Sequence, residues 1–181
     1  PQFDNRRGQL TVQLDPSLAA GMQDGLTYLE HFEYECTEQT VSRFLPNLLT
    51  YRALQSLGLK DAELEARLPA LIDEGLQKLA QQQNPDGGWG WWYDAERGES
   101  NPHVSAYVVF ALLKARQTDV RVDETMLQRG LDYLTTQLQT IRQVENYRAA
   151  NQQAWLLYVL AEGRQAPQEQ LDNLFENREK L

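Results

Sequence analysis

Cysteine is nearly absent, with Cys36 the one thiol in 181 residues. A single cysteine excludes an internal disulfide framework and any all-cysteine zinc site. Histidine is scarce too, at two residues, and no nucleophile-elbow pattern accompanies it, so Ser/His/Asp catalysis has little support. Positive charge is in deficit: 17 Lys and Arg stand against 26 Asp and Glu, a net charge of −9. The basic residues present, such as Arg6-Arg7 and Arg178 with Lys180, are scattered or terminal. Nucleic acids and anionic membrane surfaces need clustered cations, so neither is an expected partner. No apolar run approaches the roughly twenty residues that span a bilayer, and no direct membrane insertion is expected of this segment. Gly87-Gly88 is followed by Trp89 rather than by Lys and Ser/Thr, so no phosphate loop is present. Neither a cofactor nor a metal is called for. The chain opens at Pro1 with no visible signal peptide, and we expect it to be a piece of something longer. Its length suits one domain with a core of its own.

What is present is mostly helical pattern. Gln9-Leu-Thr-Val-Gln-Leu14 alternates with a strand-like period of two before Asp15-Pro16 ends it. Residues 1–15 therefore read as a linker or edge strand from a preceding β-rich domain, and 16–181 as one helical domain. Helices are predicted over Pro16–His31 and Thr37–Leu57. In the second, Pro46 should kink or break the run, and Gly58 closes it. From Asp61 to Gln83, Leu64, Leu68, Leu71, Leu76 and Leu79 form one apolar stripe. A loop dense in Gly and aromatic residues fills 84–101, and further helices are predicted over 102–116, 123–138, 146–162 and 167–178. Ala106-Tyr-Val-Val-Phe-Ala-Leu-Leu-Lys-Ala-Arg116 is echoed 48 residues later at Ala154-Trp-Leu-Leu-Tyr-Val-Leu-Ala-Glu-Gly-Arg164. Both stretches are apolar on nearly every side and should be buried all round. The helix between them is amphipathic through Leu127, Leu131, Leu134 and Leu138. Buried and amphipathic helices alternating at a fixed period predict stacked hairpins, with an irregular bundle as the alternative. The class is all-α either way.

The lone thiol sits in Tyr34-Glu-Cys-Thr-Glu-Gln-Thr-Val-Ser-Arg-Phe44, at a loop-to-helix boundary, with Gln39 three residues on. Positions i and i+3 of a first helical turn share a face, so the thiol can reach the Gln side chain. The helix N-terminus favours a thiolate and its nucleophilicity. Attack on the Gln amide would expel ammonia and leave a cyclic thioester, an acyl group on a good leaving group. An amine could then take the acyl group and release Cys36, a single-use acyl transfer. Such a bond needs cover from water, and Tyr28, Phe32, Tyr34, Trp89, Trp91, Trp92 and Tyr93 are the shielding candidates, Tyr34 first among them. Ordinary hairpin packing would account for the same aromatic residues. Glu38, between the reacting pair, either supports the site by hydrogen bonding or is simply an acidic first-turn residue.

Cys36-Thr-Glu-Gln39 resembles the Cys-x-Glu-Gln thioester motif of the alpha-2-macroglobulin and complement superfamily. The resemblance extends through Glu33–Phe44, Gln83-Asn-Pro-Asp-Gly-Gly-Trp-Gly-Trp-Trp92 and Ser105-Ala-Tyr-Val-Val-Phe-Ala-Leu-Leu113. In this order and spacing the blocks are similar to the bacterial branch, and Leu10–Ala20 is similar to the lead-in from the preceding β-rich domain. The resemblance implies an α/α toroid, helical hairpins in two concentric layers, of which this chain is expected to hold an incomplete part. It implies a protease trap, with target proteases and the rest of the parent macroglobulin chain as partners and Cys36 and Gln39 as the thioester. It also implies an extracytoplasmic place, in the periplasm or cell envelope, and a penicillin-binding protein as a further partner, although no residue speaks to the latter. No bait region is identifiable. Some relatives use a His in the loop before the helix resembling Ser105–Leu113 to speed transfer to hydroxyls. Residues 92–101 contain no His, and His103 falls at the helix start, so lysine amines are the expected targets.

Two rival readings stay open. Gln83-Asn-Pro-Asp-Gly-Gly-Trp89 also resembles the Gln…Gly-x-Trp turn of terpenoid cyclases and prenyltransferase β-subunits. A cyclase needs an Asp-x-Asp-Asp motif, which is missing, and a prenyltransferase needs an Asp, a Cys and a His on zinc. Cys36, His31 and Glu33 offer that set only without a supporting pattern. The other rival is a structural fragment in which Cys36 is a free, inactive thiol, a small buried hydrophobe.

Overall fold

The computed structural model describes residues 36–58, 62–93, 98–141 and 147–178. The strand or linker expected over 1–15, the helix expected over 16–31, and Tyr28, Phe32 and Tyr34 lie outside these residues. Six helices fill the described residues: α1 (Thr37–Leu57), α2 (Ala62–Gln81), α3 (Pro102–Arg116), α4 (Glu124–Thr140), α5 (Tyr147–Glu162) and α6 (Gln168–Asn177).

Local chemistry explains where they start and how they hold. Asn101 caps α3, its Oδ1 accepting from the amides of His103 and Val104 at 3.0 and 3.1 Å, with Pro102 in the first turn. Asp123 does the same for α4, accepting from Thr125 and Met126. α1 runs through Pro46 without a break. The Asn47 side chain donates to the Arg43 carbonyl at 2.9 Å, adding a donor in the turn where Pro46 has no N–H to give. α2 likewise carries Pro69 inside it.

The apolar stripe of α2 is Leu68, Ile72, Leu76 and Leu79, all buried. Leu71, expected in that stripe, is only half-buried, because the helical period puts Ile72 rather than Leu71 on the face that meets α1. Between Ile72 and Leu76, Gly75 lies so close to α1 that a Cβ there would come within 2.9 Å of the Phe44 ring.

The helices form two layers. α1, α3 and α5 touch in sequence, while α2 covers α1, α4 covers α3 and α5, and α6 covers α5. This is the α/α-toroid arrangement, all-α among the described residues. The amphipathic face predicted for α4 is the observed one, with Leu127, Leu131, Leu134 and Leu138 buried. α3 is buried on almost every side, as its composition requires. α5 departs from that expectation: Ala154, Tyr158 and Ala161 are exposed. α3 is packed between α1, α4 and α5, whereas α5 meets α3 and α4 and, more lightly, the short α6. Phe110, Trp155 and Tyr158 form an aromatic group along the α3–α5 seam. Below it Lys114 pairs with Glu162, and that hydrogen bond holds the Glu162 carboxyl below the usual carboxylate range. No helix among the described residues is long and apolar enough to cross a membrane.

Candidate functional site

α1 begins at the thiol. The Cys36 carbonyl accepts the Thr40 amide at 2.9 Å, the first helical bond, which makes Cys36 the N-cap. Its Sγ accepts the Gln39 amide at 3.4 Å, and Gln39 Oε1 in turn accepts the Cys36 amide at 3.3 Å. This reciprocal pair is the capping box, in which an N-cap side chain and an N3 side chain each take the other's backbone N–H. Sulfur here replaces the usual hydroxyl. The spacing of three residues therefore brings thiol and carboxamide together for a reason rooted in helix initiation. The N–H on Gln39 Oε1 also polarises that carbonyl toward attack. Cys36 is a free thiol and 8% exposed; Gln39 is half-buried.

The first turn is held from outside by the aromatic loop. The Thr37 amide donates to the Trp91 carbonyl at 2.9 Å. The loop is fixed in turn by Trp89, whose wholly buried ring donates through Nε1 to the Leu79 carbonyl at 2.8 Å. The Trp89 amide donates to Ser105 Oγ at 2.8 Å, and the Ser105 hydroxyl donates back to the Trp89 carbonyl at 3.1 Å. At the other end Gln83 Nε2 donates to the carbonyls of Gly87 and Met126, while Arg129 donates to Gln83 Oε1 and the Asn84 carbonyl. Gly87 has φ +90 and lies against the Arg129 carbonyl, 2.5 Å from where a Cβ would stand, so only glycine fits. The motif from Gln83 to Trp89 thus acts as a structural pin that delivers the Trp91 carbonyl to α1.

Of the shielding candidates, Trp89 belongs to the core. Trp91 and Trp92 are 47% and 63% exposed, and Tyr93 is exposed too. Trp91 reaches the site through its backbone. Glu38 is half-buried, and its Oε1 accepts the Ser42 hydroxyl at 2.7 Å. Ser42 Oγ is 3.4 Å from the Tyr107 hydroxyl on α3. His103 is exposed, its amide taken by the Asn101 cap and its ring 6.3 Å from that of Trp155. Ser42, Ser105 and Tyr107 escaped the sequence reading. Ser42 was accessible, since it stands four residues after Glu38; the other two needed the α1–α3 packing. Among the described residues no three His, Cys, Asp or Glu side chains gather as a metal site.

The sequence model of the A-macroglobulin TED domain matches residues 10–158. The chain belongs to this family. Curated relatives named Alpha-2-macroglobulin include one from Thermotoga maritima, 37% identical over 65% of this chain and 7% of its own length. Another, from Escherichia coli, is 31% identical over 94% of this chain and 10% of its own length. The chain thus spans a tenth or less of the length of these relatives. Among solved structures, Salmonella alpha-2-macroglobulin reacted with methylamine superposes with a TM-score of 0.69 at 30% identity, over 87% of this chain and 11% of that one. Trypsin-activated alpha-2-macroglobulin from Escherichia coli gives 0.65 at 29% identity, over 81% of this chain and 10% of that one. These neighbours and the family model agree with the bacterial branch and with a thioester-domain fold.

Proposed function

We propose that the chain is the acylating part of a protease trap, in which Cys36 and Gln39 form an internal thioester. The reciprocal contact of these two side chains at the start of α1 carries the reading. In forming the bond, Cys36 Sγ adds to Gln39 Cδ, the C–N bond breaks, and ammonia leaves with the thiol proton. In using it, an amine nitrogen bonds to the same carbon, the C–S bond breaks, and an amide and the Cys36 thiol result. The event occurs once per molecule, so the chain is an inhibitor rather than an enzyme. The methylamine-treated and trypsin-activated relatives support amines as nucleophiles and proteases as targets. Lysine side chains of the attacking protease are the acceptors, and the parent macroglobulin supplies the trigger from outside the cytoplasm. Tyr28, Tyr34, Trp91 and Trp92 stay the proposed shield. For the exposed Trp91 and Trp92 rings, that role requires another part of the parent chain lying over them.

One observation favours a second reading: the capping box would stabilise α1 equally well with a free thiol that never acylates anything. Incubation with a fluorescent amine and with glycerol separates the two, with peptide mapping of the label. The trap reading expects amine label at Gln39, slower glycerol labelling, and neither in Cys36→Ser. Label distributed over other residues, or none, leaves the helix cap as the role of the pair. Faster ester than amide formation would remove the lysine assignment.

A further inference from the structure

Between the first turns of α3 and α5 lies a cavity of about 300 Å³ in which no residue of the thioester scheme takes part. Four of its lining residues, Arg148, Asn151, Gln152 and Trp155, follow the spacing i, i+3, i+4, i+7 and so form one stripe along α5. Asn101, Pro102 and His103 close it from α3. The lining has one sign. It contains no Asp or Glu, in a chain whose net charge is −9. Arg148 has no ion pair or hydrogen bond through its side chain among the described residues, and the Asn151 and Gln152 carboxamides have none either. Asn101 Oδ1 is spent on the amides of His103 and Val104, so its Nδ2 donors are what it has left to offer. Those two amides are spent as well, and Pro102 has none. The cavity is thus built from side chains, not from a bare helix end. Trp155 is half-buried with its Nε1 fully covered, which leaves its ring face as the surface a ligand meets.

Such a lining fits a carboxylate carried on a peptide. The Arg148 guanidinium has donors alone and matches a carboxylate in a two-pronged fashion. The two carboxamides can give to and accept from a peptide unit, and the Trp155 ring with Pro102 can cover an apolar portion. The position is telling too. The Trp89 and Trp91 carbonyls hold the amides of Asn101 and Thr37, which ties the start of α3 to the start of α1. Ser42 meets Tyr107, and Lys114 meets Glu162, at matching heights along their helices. α1, α3 and α5 therefore run the same way, and their N-termini share one end. With packed helices 8–10 Å apart, a cavity one and a half spacings away lies roughly 12–15 Å from Gln39.

We propose that this cavity is a carboxylate site for the protein being acylated, holding an acidic residue of the target so that a neighbouring lysine reaches Gln39. The acylation half rests on the thioester reading; the recognition of a carboxylate does not.

The intact chain is titrated with acetyl-Ala-Glu-amide, acetyl-Ala-Gln-amide, inorganic phosphate and glucuronate, following the Trp155 indole resonance by NMR. The Glu peptide should bind with a Kd of about 1 mM. It should bind about tenfold tighter than the Gln peptide, the low end of what a hydrogen bond to a charged group contributes. Arg148→Gln should abolish that preference. Arg121→Gln, an equal loss of charge at an exposed residue outside the cavity, should keep it. For acylation, peptides with Lys and either Glu or Gln four residues apart span about 13 Å when extended. The Glu peptide should label Gln39 at least about threefold faster, since binding remote from the reacting atoms is drawn on for positioning. That ratio should fall to one in Arg148→Gln. Equal binding of the two acetyl peptides, equal labelling by the two lysine peptides, or an Arg121→Gln effect matching that of Arg148→Gln overturns the proposal. Tighter binding of glucuronate or phosphate than of the Glu peptide overturns it as well, in favour of a sugar acid or a phosphate. A chain without the ammonia loss removes the thioester reading and the acylation half with it, and the titration then decides carboxylate binding by itself.

Discussion

Ser105→Ala deletes a single hydroxyl that serves both backbone polar groups of Trp89. Ser105 is wholly buried, accepting the Trp89 amide at 2.8 Å and donating to its carbonyl at 3.1 Å. The carbonyl keeps a second partner, the Asn101 amide at 2.8 Å, so the main loss is the partner of the Trp89 amide, with the Ser105 hydrogen bond to the Tyr133 phenol going as well. A buried donor left without a partner costs roughly 1–3 kcal/mol. At about 2–4 °C per kcal/mol for a domain of this size, a mid-range loss lowers Tm by about 4–8 °C. Thermal and urea unfolding followed by circular dichroism reads both quantities. Trp92→Ala, on the same loop but with an exposed ring, is the control and should stay within about 0.5 kcal/mol of wild type. A second readout ties the loop to the site. Because the Trp91 carbonyl holds the Thr37 amide, loosening the loop should speed hydrogen exchange at Thr37. Equal stability of Ser105→Ala and wild type would refute the reasoning, as would a loss in Trp92→Ala as large as in Ser105→Ala.

The sulfur cap gives a second expectation: Cys36→Ala should lose about 1 kcal/mol relative to Cys36→Ser, since serine restores the usual capping oxygen; urea midpoints decide it. Gly87→Ala should destabilise by about 1–3 kcal/mol, because alanine resists the positive φ and its Cβ meets the Arg129 carbonyl; an unfolding midpoint equal to wild type would contradict this. Tyr133 is pushed up from 10.0 to about 12, chiefly by burial and then by Asp86. The fold therefore holds the neutral phenol, so this contribution is whole below pH 10 and is lost as pH rises from 10 toward 12. Unfolding across that range should show the decline, and Tyr133→Phe should flatten it.

Much of the fold was legible because its signals are local. The apolar period of α4 fixed its face, the all-round apolar run of α3 announced its burial, and Asn101-Pro102 and Asp123 stand where helices start. Leu71 and the outer flank of α5 were misjudged for a common reason. Burial depends on which neighbour arrives, and composition does not name the neighbour. At the site, Cys36 and Gln39 were readable because a spacing of three is a one-turn property. Trp91 was placed near the thiol by its ring, yet the contact made is a backbone carbonyl, which no side-chain pattern encodes. The Tyr107–Ser42–Glu38 chain joins residues 65 apart in sequence and required the packing of α3 on α1.

The central claim is most directly tested by the intact mass of freshly purified protein, taken before and after methylamine. The account predicts a mass one ammonia below that of the sequence, rising by one methylamine on treatment as the Cys36 thiol appears. A mass equal to that of the sequence, with the thiol already free and no change on treatment, would contradict it. A mass one water above the thioester form, with residue 39 read as glutamate, would show that the bond formed and was then hydrolysed.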